Sequence, residues 1–192
     1  MPATDRTHSP VRVDDVHHIV LVGLMGAGKT AVGRIVADRL GCPFIDSDEI
    51  VKERTGMTVA QLWRRGGEAA YRPHEREAVT QTLAAEGPDV LAGPAGAIVD
   101  DVALASLHRP GVFIVWLRAE VDTLARRAEH GEHRPLLDED PRAVLAEQAA
   151  ERSDAYEALA DLVLDVEGRS ADELADEILA ALPPAAHEAE DS

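Results

Sequence analysis

Residues 23–30 read Gly23-Leu24-Met25-Gly26-Ala27-Gly28-Lys29-Thr30, a complete G-x-x-x-x-G-K-T, and no other segment is as specific in its chemistry. Glycines allow successive backbone N–H groups to converge on one phosphate, and a helix that opens behind them adds a partial positive charge. A lysine at this point reaches the outer phosphates, and a threonine hydroxyl beside it is a ligand for Mg²⁺. The segment points to a nucleoside triphosphate held by Gly23, Gly26, Ala27, Gly28, Lys29, Thr30 and Ala31. The plainer alternative, a glycine-rich turn without a ligand, leaves the lysine at the helix N-terminus without a task.

Asp46-Ser47-Asp48 follows the next apolar run. One of these carboxylates can support Mg²⁺ through water, and the other can take a proton from an attacking hydroxyl. Ser47 or Asp48 could instead cap the following helix, and it is the nearby phosphate loop that tips the reading toward chemistry. Four arginines stand out by their surroundings: Arg72 in Tyr71-Arg72-Pro73-His74-Glu75, Arg127, Arg134 in Arg134-Pro135-Leu136-Leu137, and Arg152 in Glu151-Arg152-Ser153-Asp154-Ala155-Tyr156. Taken singly, each reads as a solvated surface residue. Arg134 rides on the polar stretch 129–141, which has the length of a lid that closes over nucleotide. His130 and His133 on that stretch have metal-compatible spacing but no further ligand, and read as solvated lid residues. Trp63 and Tyr71 read as core aromatics.

Groups so far apart in sequence can meet only if the chain delivers them to one end of a sheet. Short runs rich in Val, Ile and Leu at Ile19–Val22, Pro43–Ile45, Val90–Ala92, Val112–Leu117 and Leu162–Val166 alternate with helical segments, the pattern of an α/β fold with a parallel sheet. The C-terminal ends of such strands face a common crevice, which brings the phosphate loop and Asp46-Ser47-Asp48 together. A helix over Thr30–Leu40 stops at Gly41, Thr58 with Gln61 and Ser170 with Glu173 form capping boxes, and Gly66–Gly67 breaks the middle helical region. At 192 residues one domain is expected over 16–182, with a flexible extension over 1–15 and a disordered acidic tail over 183–192. A net charge of -17 repels nucleic acid and anionic lipid, so neither is an expected partner and any phosphate site must be local. No stretch has the roughly 18 apolar residues of a membrane span, and the polar N-terminus lacks the run of a secretory signal, so a cytoplasmic monomer is expected. The single cysteine, Cys42, cannot form an intramolecular disulfide and reads as a small buried hydrophobe.

Taken in order, these motifs resemble the shikimate kinase family over about residues 18–182: Gly23–Thr30, Asp46-Ser47-Asp48, Arg54-Thr55-Gly56, Gly67-Glu68, Tyr71-Arg72 with Glu75, Arg134-Pro135-Leu136-Leu137, and Glu151-Arg152 with Tyr156. The resemblance implies a three-layer P-loop kinase fold related to nucleoside monophosphate kinases, with strand order 2-3-1-4-5 and a lid. It also implies transfer of the γ-phosphoryl of MgATP to the 3-hydroxyl of shikimate, a step of aromatic amino acid biosynthesis. By that resemblance Asp48 meets the shikimate hydroxyls and acts as base, and Arg72 and Arg152 hold its carboxylate. Arg134 comes from the lid to the transferring phosphate, Arg127 and Arg169 sit near the adenine nucleotide, and Asp46 supports the Mg²⁺ site with Thr30. Trp63 and Tyr71 fall where the family packs apolar side chains around the substrate. One departure stands out. Where the family has three successive glycines after the third strand, this chain has Pro94-Ala95-Gly96, so Pro94 offers no N–H and Ala95 should resist positive φ while bringing a methyl to the substrate side with Gly96. A related kinase for another cyclic polyol, or a nucleotide-binding paralogue with weakened activity, is the alternative that this loop leaves open.

Overall fold

The computed structural model describes residues 16–129 and 140–183. The expected N-terminal extension, Arg134 with the central lid stretch, His130 and His133, and the tail from 184 onward lie outside the described residues.

Five parallel strands form one sheet: β1 (His18–Val22), β2 (Phe44–Asp46), β3 (Asp89–Ala92), β4 (Val112–Arg118) and β5 (Leu162–Asp165), in the order β2-β3-β1-β4-β5. All five residues of β1 are buried, because the strand is central and covered on both faces, and that is why its sequence shows no alternation of apolar and polar residues. Ile19 pairs with Val90 on one side and with Phe113 on the other, which aligns the strand ends after Val22 and Ala92. The strands sit within a residue of their expected positions. β1 and β3 each start one residue early, because His18 Nδ1 lies 3.0 Å from Asp89 Oδ2 and this buried polar pair opens both strands. Pro43 stands just outside β2. It has no N–H for the ladder and contributes only its carbonyl, which accepts from Val90 N–H at 3.0 Å.

Among the described residues seven α-helices surround the sheet: α1 (Lys29–Leu40), α2 (Ser47–Thr55), α3 (Val59–Thr82), α4 (Asp101–Leu107), α5 (Val121–Glu129), α6 (Pro141–Leu159) and α7 (Ala171–Ala181). Both expected capping boxes are present: Thr58 with Gln61 starts α3, and Ser170 with Glu173 starts α7. The expected break is there too, since Gly66 and Gly67 leave helical geometry and divide α3 into two rods. The second rod carries Tyr71, Arg72 and Glu75 toward the C-terminal end of the sheet. On the flank, Arg39 of α1 bridges Asp172 (2.7 Å) and Asp176 (2.6 Å), holding α7 against α1.

The main core is aliphatic apart from Trp116 and Tyr156 and lies on both faces of the sheet, and a satellite of Val51, Leu62, Tyr71 and Ala78 packs between α2 and α3. Cys42 is half-buried rather than buried, since it packs at the margin of this core, and burial together with the charge of Asp89 raises its thiol pKa. Among the described residues no helix is long and apolar enough to cross a membrane.

Candidate active site

The phosphate loop joins β1 to α1. Gly28 is the N-cap at φ 98°, a left-handed conformation that glycine adopts without penalty, and with no side chain there the first N–H groups of α1 face the cleft unobstructed. Lys29 Nζ folds back over the loop and donates to the carbonyls of Gly23 (2.7 Å) and Leu24 (3.1 Å). Ala27 is buried beneath the loop, and Ala31 lines the cleft beside Thr30. On the opposite side Arg127 of α5 donates to the Gly26 carbonyl at 3.0 Å, so it sits on the loop itself.

Asp46 ends β2 and uses both of its oxygens. Oδ2 accepts from the Thr30 hydroxyl at 3.0 Å, and Oδ1 accepts from the Asp48 N–H at 3.0 Å. The helix cap at this point is therefore Asp46 and neither Ser47 nor Asp48, because the extended φ and ψ of Asp46 turn its carboxylate over the first turn. Relieved of capping, the Asp48 side chain faces the cleft, where its Oδ1 accepts from the Tyr71 hydroxyl at 3.0 Å. Tyr71 is buried in the satellite core and Trp63 lies against it, with ring centroids 6.2 Å apart, so both aromatics serve packing and the cleft wall together.

Arg72 and Glu75 are one helical turn apart on α3, with Arg72 Nη1 donating to Glu75 Oε2 at 2.6 Å, while Arg72 Nε donates to Glu68 at 2.7 Å. Glu75 is buried, and burial pushes its carboxyl above the ordinary range against the pull of Arg72. Arg152, also buried, enters from α6 and donates from Nη1 to the Ala95 carbonyl at 3.3 Å. The same carbonyl accepts from the Tyr156 hydroxyl at 2.8 Å.

The Pro94-Ala95-Gly96 turn departs from expectation in its backbone. No described non-glycine residue has positive φ, and Gly96 itself sits at φ −94°, so Ala95 is under no left-handed strain. The turn is closed by Ala97 N–H to Pro94 O at 3.3 Å and runs into a single 3₁₀ turn at Ala97–Val99, where Val99 N–H donates to Gly96 O at 3.1 Å. Gly96 is needed for closeness: a Cβ there would fall 1.2 Å from Arg72 Nη1.

Most of these groups line a single cleft of about 670 Å³, bounded by Lys29 and Thr30 at one end and by Arg72, Gly96 and Arg152 at the other, whereas Gly23, Ala27, Arg127 and Tyr156 stand outside its lining. Arg169 lies outside that lining and is held by the Glu177 carboxylate. The roles of Glu75 and Tyr156 in this network go unassigned by the sequence reading. Their spacing from Arg72 and Arg152, three and four residues along helices, is the signal that they share a face with them.

A phosphate loop and inward-facing arginines at the C-terminal edge of a parallel β2-β3-β1-β4-β5 sheet make this a P-loop kinase built for a small acceptor. The shikimate kinase profile matches residues 25–183. The shikimate kinase of Mesorhizobium japonicum is 42% identical over 165 residues, covering 85% of this chain and 80% of that protein. The shikimate kinase of Moorella thermoacetica is 40% identical, covering 86% and 94% respectively. In three dimensions the Acinetobacter baumannii shikimate kinase in complex with shikimate superposes with a TM-score of 0.80 at 33% identity, over 85% of this chain and 91% of that one. The chain belongs to the shikimate kinase family.

Proposed function

We propose that the protein transfers the γ-phosphoryl group of ATP to the 3-hydroxyl of shikimate, giving shikimate 3-phosphate and ADP. The observation that carries this reading is the division of one cleft into a phosphate-loop end and an end where two arginines from different helices flank Ala95 and Gly96. Paired guanidinium groups match a planar carboxylate, and Arg72 and Arg152 are the two that line the acceptor end of the cleft, Arg72 held in place by Glu68 and Glu75.

In this reading Gly23, Gly26, Ala27, Gly28 and Ala31 shape the cradle for the phosphates, and Lys29 exchanges its loop carbonyls for the β and γ oxygens. Arg134 brings a second cation from the lid, while Arg127 and Arg169 belong to the adenine side. Asp48 takes the proton of the attacking hydroxyl as its oxygen bonds to the γ phosphorus and the bond to ADP breaks, and the Tyr71 hydroxyl keeps that carboxylate oriented. Arg72 and Arg152 hold the shikimate carboxylate against Ala95 and Gly96.

Thr30 Oγ1 and Asp46 Oδ2, 3.0 Å apart, are hard oxygen donors suited to Mg²⁺. Among the described residues no cluster of three or more His, Cys, Asp or Glu offers a full coordination set, which fits an ion that keeps phosphate and water as its other ligands. When bound, the ion neutralises charge on the β and γ phosphates. The protein acts as a cytoplasmic monomer in this reading.

A coupled ADP-release assay with shikimate, quinate, gluconate and a panel of neutral cyclitols tests the assignment. Release that depends on shikimate and is much weaker with the others is the expected result. Faster turnover of a neutral cyclitol would overturn it.

A further inference from the structure

The two arginines of the acceptor end come from different helices, and a single peptide group stands between them. Ala95 O faces α6, where it accepts from Tyr156 Oη at 2.8 Å and from Arg152 Nη1 at 3.3 Å. The N–H of the same peptide, on Gly96, faces the buried Glu75 carboxylate of α3 and favours its charged form, and Glu75 in turn holds Arg72 Nη1 at 2.6 Å. In a trans peptide the C=O and N–H point in opposite directions, so one rigid plane connects the Arg152 side to the Arg72 side.

That plane has a competing orientation. Turned over, it would set the Ala95 oxygen against the Glu75 carboxylate and the Gly96 N–H against the Arg152 guanidinium. Gly96 has no Cβ to resist such a rotation, so the hydrogen bonds at the two ends decide which orientation is kept.

Arg152 is a poor anchor for this purpose. Its contact with Ala95 O is the longer of the two, its Nε is buried with no partner among the described residues, and binding a carboxylate would draw the guanidinium away. Tyr156 has none of these weaknesses. It is 1% exposed, its ring stacks on Trp116 of β4 with centroids 5.6 Å apart, and the Arg152 guanidinium that also meets its hydroxyl can only donate to it, which leaves the phenol proton to Ala95 O. Burial pushes the phenol pKa upward, so the hydroxyl stays a donor throughout the neutral range.

We propose that Tyr156 is a positioning residue for the acceptor site: its hydroxyl locks the Ala95–Gly96 peptide in one orientation, and through that peptide sets the spacing of Arg72 and Arg152. This rests on the reading that the acceptor is an acid held by the two arginines.

Tyr156→Phe removes the hydroxyl and keeps the stacked ring. The expected result is an increase in the KM for shikimate of about threefold to tenfold, the value of one hydrogen bond, with the KM for ATP changed by less than about twofold. Amide exchange at Gly96 should accelerate in the same variant while that of Leu21 in the central strand stays as in the wild type. Tyr156→Leu, which also removes the ring, should repeat the shikimate effect and add a marked fall in Tm. The proposal is overturned if Tyr156→Phe matches the wild type in both KM values, if the two KM values rise together, or if Gly96 exchange is unchanged. Absence of shikimate-dependent ADP release by the wild type would defeat the acceptor assignment instead, and Gly96 exchange would still decide whether the hydroxyl locks the peptide.

Discussion

Gly96→Ala tests the acceptor end through a single methyl group. Built on the native backbone, that methyl would lie 1.2 Å from Arg72 Nη1, 2.4 Å from its Cζ and 2.7 Å from Glu75 Oε2. Because φ at Gly96 is −94°, alanine suits the backbone and the whole effect is steric. Ordinary contact between heavy atoms begins near about 3.5 Å, so the guanidinium must withdraw by roughly 2 Å. The 2.6 Å bond from Arg72 to Glu75 is then lost, leaving a buried carboxylate short of its charged partner. A hydrogen bond to a charged group is worth about 1.5–3 kcal/mol, which corresponds to roughly a tenfold to hundredfold weakening of shikimate binding and a fall in Tm of about 3–12 °C. The stability loss has a pH signature. Burial already raises the folded-state pKa of Glu75, and losing Arg72 raises it further. A group of this kind stabilises fully below its unfolded pKa and loses that contribution as pH rises through the folded value, so the Tm deficit should grow as pH rises above the ordinary carboxylate range. Calorimetric titration of shikimate and ATP separately, in Gly96→Ala, Arg72→Ala and the double variant, gives the assay. In the Arg72→Ala background the added methyl has little left to displace and should cost almost nothing further. If the two losses simply add, the methyl acts elsewhere and the steric argument is wrong.

Lys29→Ala should lower phosphoryl transfer by about a hundredfold or more with the fold intact, because in the proposed reading its ammonium leaves the Gly23 carbonyl for the charge that develops in the transition state; wild-type turnover by the purified variant would remove Lys29 from the reaction. Pro94→Gly combined with Ala95→Gly should raise kcat/KM for shikimate at least about tenfold by restoring a main-chain donor, and lower stability by roughly 1–2 kcal/mol through added freedom of the unfolded chain; a double variant no faster on shikimate refutes the donor argument. Asp100→Ala should cost about 1 kcal/mol at pH 7 by removing the acceptor for the Val102 and Ala103 N–H groups that begin α4. The Arg76 hydrogen bond holds the Asp100 carboxyl below its ordinary range, so its contribution is complete above the unfolded pKa and fades as pH falls through the folded one. The Tm gap between wild type and Asp100→Ala should therefore close in strong acid, and a gap that persists there counts against the ion pair.

What could be read from the sequence was what is decided locally. The phosphate loop, both capping boxes and the Gly66–Gly67 break depend on residues within a few positions of one another, and all appear where the spacing puts them. Strand positions followed from buried apolar runs, whereas the order of the strands followed from family resemblance, because periodicity carries no information about which neighbours pair. The His18–Asp89 pair was invisible since its members are 71 positions apart and neither belongs to an apolar run. Asp46 shows the same limit on a smaller scale: its role as a cap depends on its φ and ψ, which Asp46-Ser47-Asp48 alone does not specify. Helical spacing put Glu75 beside Arg72 and Tyr156 beside Arg152, but what those faces meet was set by the turn after β3. The backbone of that turn also differs from expectation, since its negative φ values accommodate Ala95 without strain.

The only two tryptophans in the chain occupy opposite kinds of environment, and this gives the protein two built-in optical reporters. Trp63 is half-buried on the cleft wall against Tyr71, whereas Trp116 is 6% exposed within β4 and stacked on Tyr156. Emission in a Trp116→Phe variant comes from the wall alone and should respond to an acceptor entering the cleft at a temperature where nothing unfolds. Emission in a Trp63→Phe variant comes from the sheet alone, should ignore ligand, and should shift to the red only when the core opens. Each single-tryptophan protein thus separates one event from the other, and occupancy and unfolding can be followed in the same instrument without an added label.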